Sequence, residues 1–333
     1  MQAPLPPAPL AAVLRGRAPL VGARFNAHLP RGYLSPVEAR WLMGIPHGDL
    51  ASEEARYLER RTRSADLGVV LRAVVARALA PPAGAPPVRR PWLVSSPVDN
   101  LSMDEALERI FAPPEGTRAR LIHCVHPHAL NIAARHEALA RALAEADLVL
   151  PDGIGLRVGA ALLGIALRHN LNGTDLLPHL CREAVARGWP LALVGAAPGV
   201  AEACATRLTG ATAGLRVPLV SHGFLSDAES RKIAGDIDRL GPCLVLVGMG
   251  SPRQELWARE YLTGASRAIV LTVGGLFDFY SGRIPRAPLA WRELGLEWVY
   301  RLIQEPRRMA RRYLVGNPLF LLRVLAQRRR SRR

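Results

Sequence analysis

The chain has 333 residues, 49% of them apolar, which is enough to bury a sizeable core and excludes disorder throughout. Basic residues outnumber acidic ones 44 to 28, a net charge of +16, and Lys232 is the single lysine. From Arg283 to the end, 14 arginines face only Glu293, Glu297 and Glu305, so most of the net charge sits in about the last fifty residues. The four cysteines (Cys124, Cys181, Cys204, Cys243) are widely separated, with no Cys-x-x-Cys and no histidine at ligand spacing; they read as reduced core thiols. No uninterrupted apolar run reaches 18 residues, and the N-terminus lacks the charged start, apolar stretch and small-residue cleavage site of a leader. The expectation is a cytoplasmic protein.

Residues 1–90 are rich in Pro, Ala and Arg and end in the Pro-dense stretch Pro81 to Pro91, which reads as a linker. Ahead of it, Ser35-Pro36-Val37-Glu38 opens what looks like a capped helix, and a second apolar-periodic piece spans Leu67 to Leu79. This segment is expected to be a partly helical or disordered extension. From 91 to 282, short apolar runs alternate with amphipathic helices, the pattern of a parallel sheet covered on both faces. Strands are expected at Leu121 to Val125, Leu148 to Leu150, Leu191 to Gly195, Val217 to Val220, Leu244 to Gly248 and Ala268 to Val273. Helix starts are legible at Ser102-x-x-Glu105, Thr174-Asp175, Ser226-x-x-Glu229 and Ser251-Pro252. The fold class is therefore α/β: a Rossmann-like parallel sheet sandwiched by helices, with a Pro/Ala-rich N-terminal extension and a basic helical appendage over 283–333. In such sheets ligands bind beyond the carboxyl ends of the strands.

Five passages lie there. Asp152, in Leu150-Pro151-Asp152-Gly153-Ile154-Gly155, would stand at the functional edge, as a general base or as the first half of an Asp-Gly turn. Val247-Gly248-Met249-Gly250-Ser251-Pro252-Arg253-Gln254-Glu255 runs through glycines into a helix N-terminus, suited to phosphate; a Ser251–Gln254 capping box is the architectural reading of the same residues. Val194 to Gly199 has a similar shape but lacks the full Gly-x-Gly-x-x-Gly of dinucleotide sites. His126 and His128 follow the first strand without acidic or cysteine partners, which argues against a metal there. The glycines of Thr272 to Asp278 either line a pocket floor or let strand and helix approach closely. In the final segment, arginines interleave with Trp291, Trp298, Tyr300 and Tyr313, a composition suited to an anionic bilayer surface or to a packed helix with a basic tail.

Taken in order, Pro151-Asp152-Gly153-Ile154-Gly155, Asn172-Gly173-Thr174-Asp175, Gly248 to Glu255, Val273 to Asp278 and Glu297-Trp298-Val299-Tyr300-Arg301-Leu302 resemble the WecG/TagA/CpsF family, glycosyltransferase family 26. The resemblance runs from about Val94 to Tyr313 and does not reach the first ninety residues. It implies an inverting, metal-independent transferase without cofactor. Such an enzyme moves a sugar from a UDP-sugar donor to a polyprenyl-diphosphate-linked acceptor, peripherally on the inner face of the plasma membrane. By that similarity Asp152 takes the position of the catalytic base, Gln254 a pocket position, and Arg301, Arg308 and Arg311 are candidates for a diphosphate. Cys124, His126, Asn172, Thr174, Gly248, Gly250 and Arg253 complete the expected substrate-binding set. Two departures bear on sugar choice: Cys124-Val125-His126 stands where many relatives have Thr-x-Asn, and Asn170 where many have Arg. His126-Pro127-His128 is more similar to the exopolysaccharide glucosyltransferase branch. The competing readings are a dinucleotide-dependent oxidoreductase, opposed by the missing glycine fingerprint, and a nucleic-acid-binding protein using the tail. No nucleic acid is expected as a partner, and a homo-oligomer stays open.

Overall fold

The computed structural model describes residues 4–43, 49–79, 88–112, 118–264 and 267–331. The expected linker from Pro81 falls outside them up to residue 87. The chain clusters into two compact units, Met1–Ala85 with Pro288–Glu297, and Pro86–Ala287 with Trp298–Arg333.

The larger unit is built on a six-stranded, all-parallel sheet: β1 Arg120–Val125, β2 Leu148–Pro151, β3 Leu191–Gly195, β4 Leu219–Ser221, β5 Cys243–Gly248 and β6 Ala268–Thr272, in the spatial order β2-β1-β6-β5-β3-β4. The strands are continuous apolar runs because both sheet faces are covered. The helices are α1 Met103–Ile110, α2 Pro127–Ala133, α3 Glu137–Ala144, α4 Ile154–Leu162, α5 Gly173–Ala186, α6 Val200–Ala211, α7 Asp227–Arg239, α8 Arg253–Tyr261, α9 Leu276–Tyr280, α10 Glu297–Gln304, α11 Pro306–Ala310 and α12 Gly316–Arg330. A π-helical turn, Arg311–Val315, joins the last two.

Alternate strand residues feed opposite faces. Ile122, Leu193, Leu246 and Leu271 pack with Ile110 of α1, Leu180 of α5 and Leu208 of α6. Leu121, Val194, Val245 and Val270 pack with Ile233 of α7 and Trp257 of α8. A third cluster joins Val125 and Val149 to Leu130, Leu143 and Leu156 of the helices that flank β2, and to Phe320 and Val324 of α12. The expected capping boxes at Ser102 and Ser226 are both formed. The start of α5 differs from expectation: Asn172, not Thr174, caps it, accepting the Asp175 N–H at 2.8 Å. The Ser251–Gln254 box does not form either; Ser251 donates to Glu255 at 2.6 Å, and α8 begins at Arg253 without a side-chain cap.

Register brings the strands to one common edge. Val125 pairs with Pro151, Thr272 with both His123 and Val247, and Gly195 with Gly248. At β3 and β5 the chain leaves in opposite directions, toward β4 on one side and β6 on the other, which opens a crevice at their carboxyl ends.

The smaller unit contains helices Leu10–Leu14, Glu38–Met43, Leu50–Glu59, Arg63–Leu79 and Leu289–Glu293. It is organised around buried acids with dedicated partners. Glu54 accepts the backbone N–H groups of Arg24, Phe25 and Asn26 at 2.8, 2.8 and 2.9 Å and the Ser35 hydroxyl at 2.5 Å. Glu38 pairs with Arg24 and Arg77, and Glu293 with Arg40 and Arg72. Both helices expected before the linker are present.

Candidate active site

Asp152 follows β2 directly, and its N–H donates to the Val125 carbonyl at 2.7 Å. The next residue, Gly153, sits at φ +92, a conformation costly for side chains with a Cβ, and its N–H donates to the Asn170 Oδ1 at 2.6 Å. Asn170, one of the two sequence departures, therefore anchors the Asp152 turn. Helix α4 begins at Ile154, so the carboxylate stands beside a helix N-terminus.

His126 caps α2: its Nδ1 accepts the Ala129 N–H at 3.0 Å. That bond places the ring proton on Nε2. Burial, then the charges of Arg312 and His128, hold its pKa well below the ordinary histidine value. His126 thus enters the site as a neutral hydrogen-bond donor. His128 stacks on it with centroids 6.0 Å apart and is shifted down by burial, Arg312 and Arg311. Cys124 is buried in the main core cluster, and its thiol is pushed up by burial and then by the charges of Asp152 and Glu255.

Several residues expected to contact substrate have partners within the protein. Asn172 is buried, with its Nδ2 donating to Asp175 at 2.7 Å, and Asp175 in turn pairs with Arg286. Thr174 is half-buried, and its carbonyl accepts from Tyr280 at 3.0 Å. Gln254 is 1% exposed; its Oε1 accepts the N–H groups of Gly250 at 3.2 Å and Gly274 at 3.0 Å. A Cβ on Gly195 would stand 2.4 Å from the Gly248 carbonyl oxygen, and one on Gly248 would stand 2.9 Å from the Gly274 oxygen. The glycines let three strand ends meet at the floor of the crevice. Above it, Arg253 lies over the ring of Phe224, 5.7 Å from its centroid, and Phe224 is 65% exposed just beyond β4.

The C-terminal arginines converge on the same edge. The Arg301 guanidinium lies 4.7 Å from the centroid of the Phe279 ring and 4.0 Å from Asp278, and Arg308 reaches Asp278 at 3.3 Å. Arg311 is exposed. Its neighbour Arg312 is the one turned inward: burial lowers its pKa, Arg301 and Arg308 lower it further, and the negative charge of Asp152 opposes them. Arg311 and Arg312 both lie in the π turn Arg311–Val315, a kind of turn associated with functional sites. Arg312, Asp278 and Phe224 were not among the residues expected from sequence. Phe224 had a signal in its place after a strand at the ligand-binding edge, and Asp278 in closing the Val273 to Asp278 motif. At this edge Asp152 and Arg312 interact electrostatically, and Arg301 and Arg308 gather on Asp278; a carboxylate so placed can take a proton from a hydroxyl, and arginines can hold a diphosphate.

Comparison with known proteins identifies the family. The chain is 27% identical, over 241 residues, to proteins of Staphylococcus aureus strains MW2, MRSA252 and NCTC 8325, each named N-acetylglucosaminyldiphosphoundecaprenol N-acetyl-beta-D-mannosaminyltransferase. The alignments cover 71% of this chain and 92% of each relative. The model of the glycosyl transferase WecG/TagA/CpsF family matches residues 92–333, and the chain belongs to that family of glycosyltransferases.

Proposed function

We propose that the protein moves a sugar from a UDP-sugar to a polyprenyl-diphosphate-linked sugar in a single inverting displacement, with Asp152 as the base. The observation that carries this reading is the inward Arg312, on which the charge of Asp152 acts against those of Arg301 and Arg308. Asp152 takes the acceptor hydroxyl proton as that oxygen attacks the anomeric carbon, and the C–O bond to the nucleoside diphosphate breaks on the opposite face. The arginines meet the charge that develops on the leaving diphosphate. The exposed Phe224 ring with Arg253 offers a stacking face for the uracil.

The names of the relatives support UDP-N-acetylmannosamine as donor and N-acetylglucosaminyl diphosphopolyprenol as acceptor. They do not support the exopolysaccharide glucosyl branch suggested by His126-Pro127-His128. The physical reason is that His126 serves as a helix cap, a task that Asn performs equally well, so this exchange is no guide to the sugar.

Among the described residues no helix is long and apolar enough to cross a membrane. Ile303, Leu314, Val315 and Leu322 are each about 60% exposed or more, in the same segment as the exposed Arg307 and Arg311. This mixture favours peripheral attachment to an anionic bilayer, on the cytoplasmic face where the lipid-linked acceptor would be presented. Transfer of radiolabelled sugar from a panel of UDP-sugars to short-chain polyprenyl-diphosphate acceptors tests the reading. Asp152→Asn should fold, bind UDP and lose roughly 10² to 10⁴ in rate; unchanged turnover rules out Asp152 as the base.

A further inference from the structure

Glu255, on the first turn of α8, is fully buried. Its Oε1 accepts from the Ser251 hydroxyl at 2.6 Å and from the Gln254 Nε2 at 2.9 Å, while its Oε2 has no hydrogen-bond partner. Burial pushes this carboxyl's pKa up, and the hydrogen bonds from Ser251 and Gln254 oppose that shift. Oε1 is therefore the shared acceptor for two donors.

The Gln254 side chain has one orientation compatible with its neighbours. Two backbone N–H groups, of Gly250 and Gly274, point at one end of the amide, so that end must be the oxygen. The nitrogen then requires an acceptor, and Glu255 supplies it. Gly250 follows β5 and Gly274 follows β6; both have positive φ, +78 and +58. One side chain therefore ties together two loops at the ligand edge.

We propose that Glu255 is a positioning residue of the site: its Oε1 fixes the Gln254 amide, and through it the backbone of the 248–250 and 274–275 loops against which the donor's diphosphate rests. The second half of that statement depends on the donor reading above. Hydrogen exchange at the Gly250 and Gly274 amides tests the first half without any ligand, and calorimetric titration with UDP tests the second.

Glu255→Gln keeps an oxygen acceptor of the same reach, so exchange at both amides and UDP affinity should stay within about threefold of the parent. Glu255→Leu and Gln254→Leu should each speed exchange at both glycines and weaken UDP binding roughly tenfold or more, and the double variant should be no worse than the poorer single one. Losses that multiply in the double variant, or a Glu255→Gln protein as impaired as Glu255→Leu, would overturn the assignment. If Glu255→Leu does not fold, the Gln254→Leu and Glu255→Gln arms decide it. A parent protein that fails to bind UDP, with the exchange pattern as expected, counts against the donor reading and leaves the positioning role standing.

Discussion

Arg323 reaches Asn131 twice, its Nη1 donating to the main-chain carbonyl at 2.7 Å and to the side-chain Oδ1 at 2.8 Å, and the Asn131 Nδ2 donates in turn to the Gly316 carbonyl at 2.7 Å. Asn131 lies on α2, which begins just after His126, and Gly316 directly follows the π turn that carries Arg312. The bonds therefore couple the His126 rim of the site to the arginine cluster. Arg323→Ala should cost about 1–3 kcal/mol of stability. It should also lower turnover by more than it weakens UDP binding, since the displaced group would be Arg312. Denaturant unfolding and steady-state kinetics on the same preparation check both; a stability loss with unaltered turnover would show that the tie is structural only.

The same helix is seated by packing. Phe320 is fully buried, and a Cβ on Gly159 would stand 2.6 Å from its ring. Gly159→Ala must push Phe320 out of place, and Phe320→Ala should cost about 3–5 kcal/mol. Deleting the chain after Pro285 would also remove Phe320 and Val324 from the core, so such a truncation tests folding before it tests membrane attachment. Leu314→Ser and Leu322→Ser, both at exposed positions, separate the two. They should reduce binding to vesicles containing anionic lipid while leaving transfer to a short-chain soluble acceptor within about twofold of the parent, because lost apolar area weakens only the bilayer contact.

Arg311 and Arg312 are adjacent but not equivalent. Arg312 is half-buried and coupled to Asp152, Arg301 and Arg308, whereas Arg311 is exposed and reaches only the neighbourhood of His128. Arg312→Gln should lower kcat roughly 10²-fold, the scale of removing one charge-stabilising donor from a transition state. Arg311→Gln should leave kcat nearly unchanged and reduce affinity for anionic vesicles. Equal kinetic losses in the two variants would refute the inward placement of Arg312.

These contrasts show what the sequence could and could not convey. The strands of the core were legible because parallel strands buried on both faces are unbroken apolar runs; β3 was read with its observed bounds, and β1, β2, β5 and β6 to within one residue at either end. Helix starts at Ser102 and Ser226 were legible because a capping box is local chemistry. The position of Asp152 at the sheet edge was legible for a related reason: it directly follows an apolar strand run and precedes a glycine. The roles of Gln254 and Asn172 were not legible, since Gly274 lies twenty residues away from Gln254, and for Asn172 a helix cap competes with ligand contact for the same side chain. Arg311 came from the family resemblance alone; that Arg312 is the less exposed of the two follows from the π turn, which carries no mark in the sequence.

Acid sensitivity of the larger unit follows from two histidines outside the site. His123, whose Nδ1 is 3.1 Å from the Thr272 hydroxyl, and His169, whose Nδ1 accepts the Met103 N–H at 3.0 Å, are both pushed down to about 4, mainly by burial. In the unfolded chain each titrates near 6.5. Between those values the unfolded chain binds protons that the folded one refuses, so stability present above about pH 6.5 is lost as pH falls toward 4. Each histidine contributes up to about 1.4 kcal/mol per pH unit in that window. Urea midpoints should therefore decline from pH 7 to 5, a range in which most carboxylates stay ionised. His169→Gln retains an acceptor for the Met103 N–H but does not titrate, so its decline should be shallower by about one proton. A variant whose midpoints track the parent across the range would mean that His169 stays protonated in the folded protein, and the burial argument for it would fail.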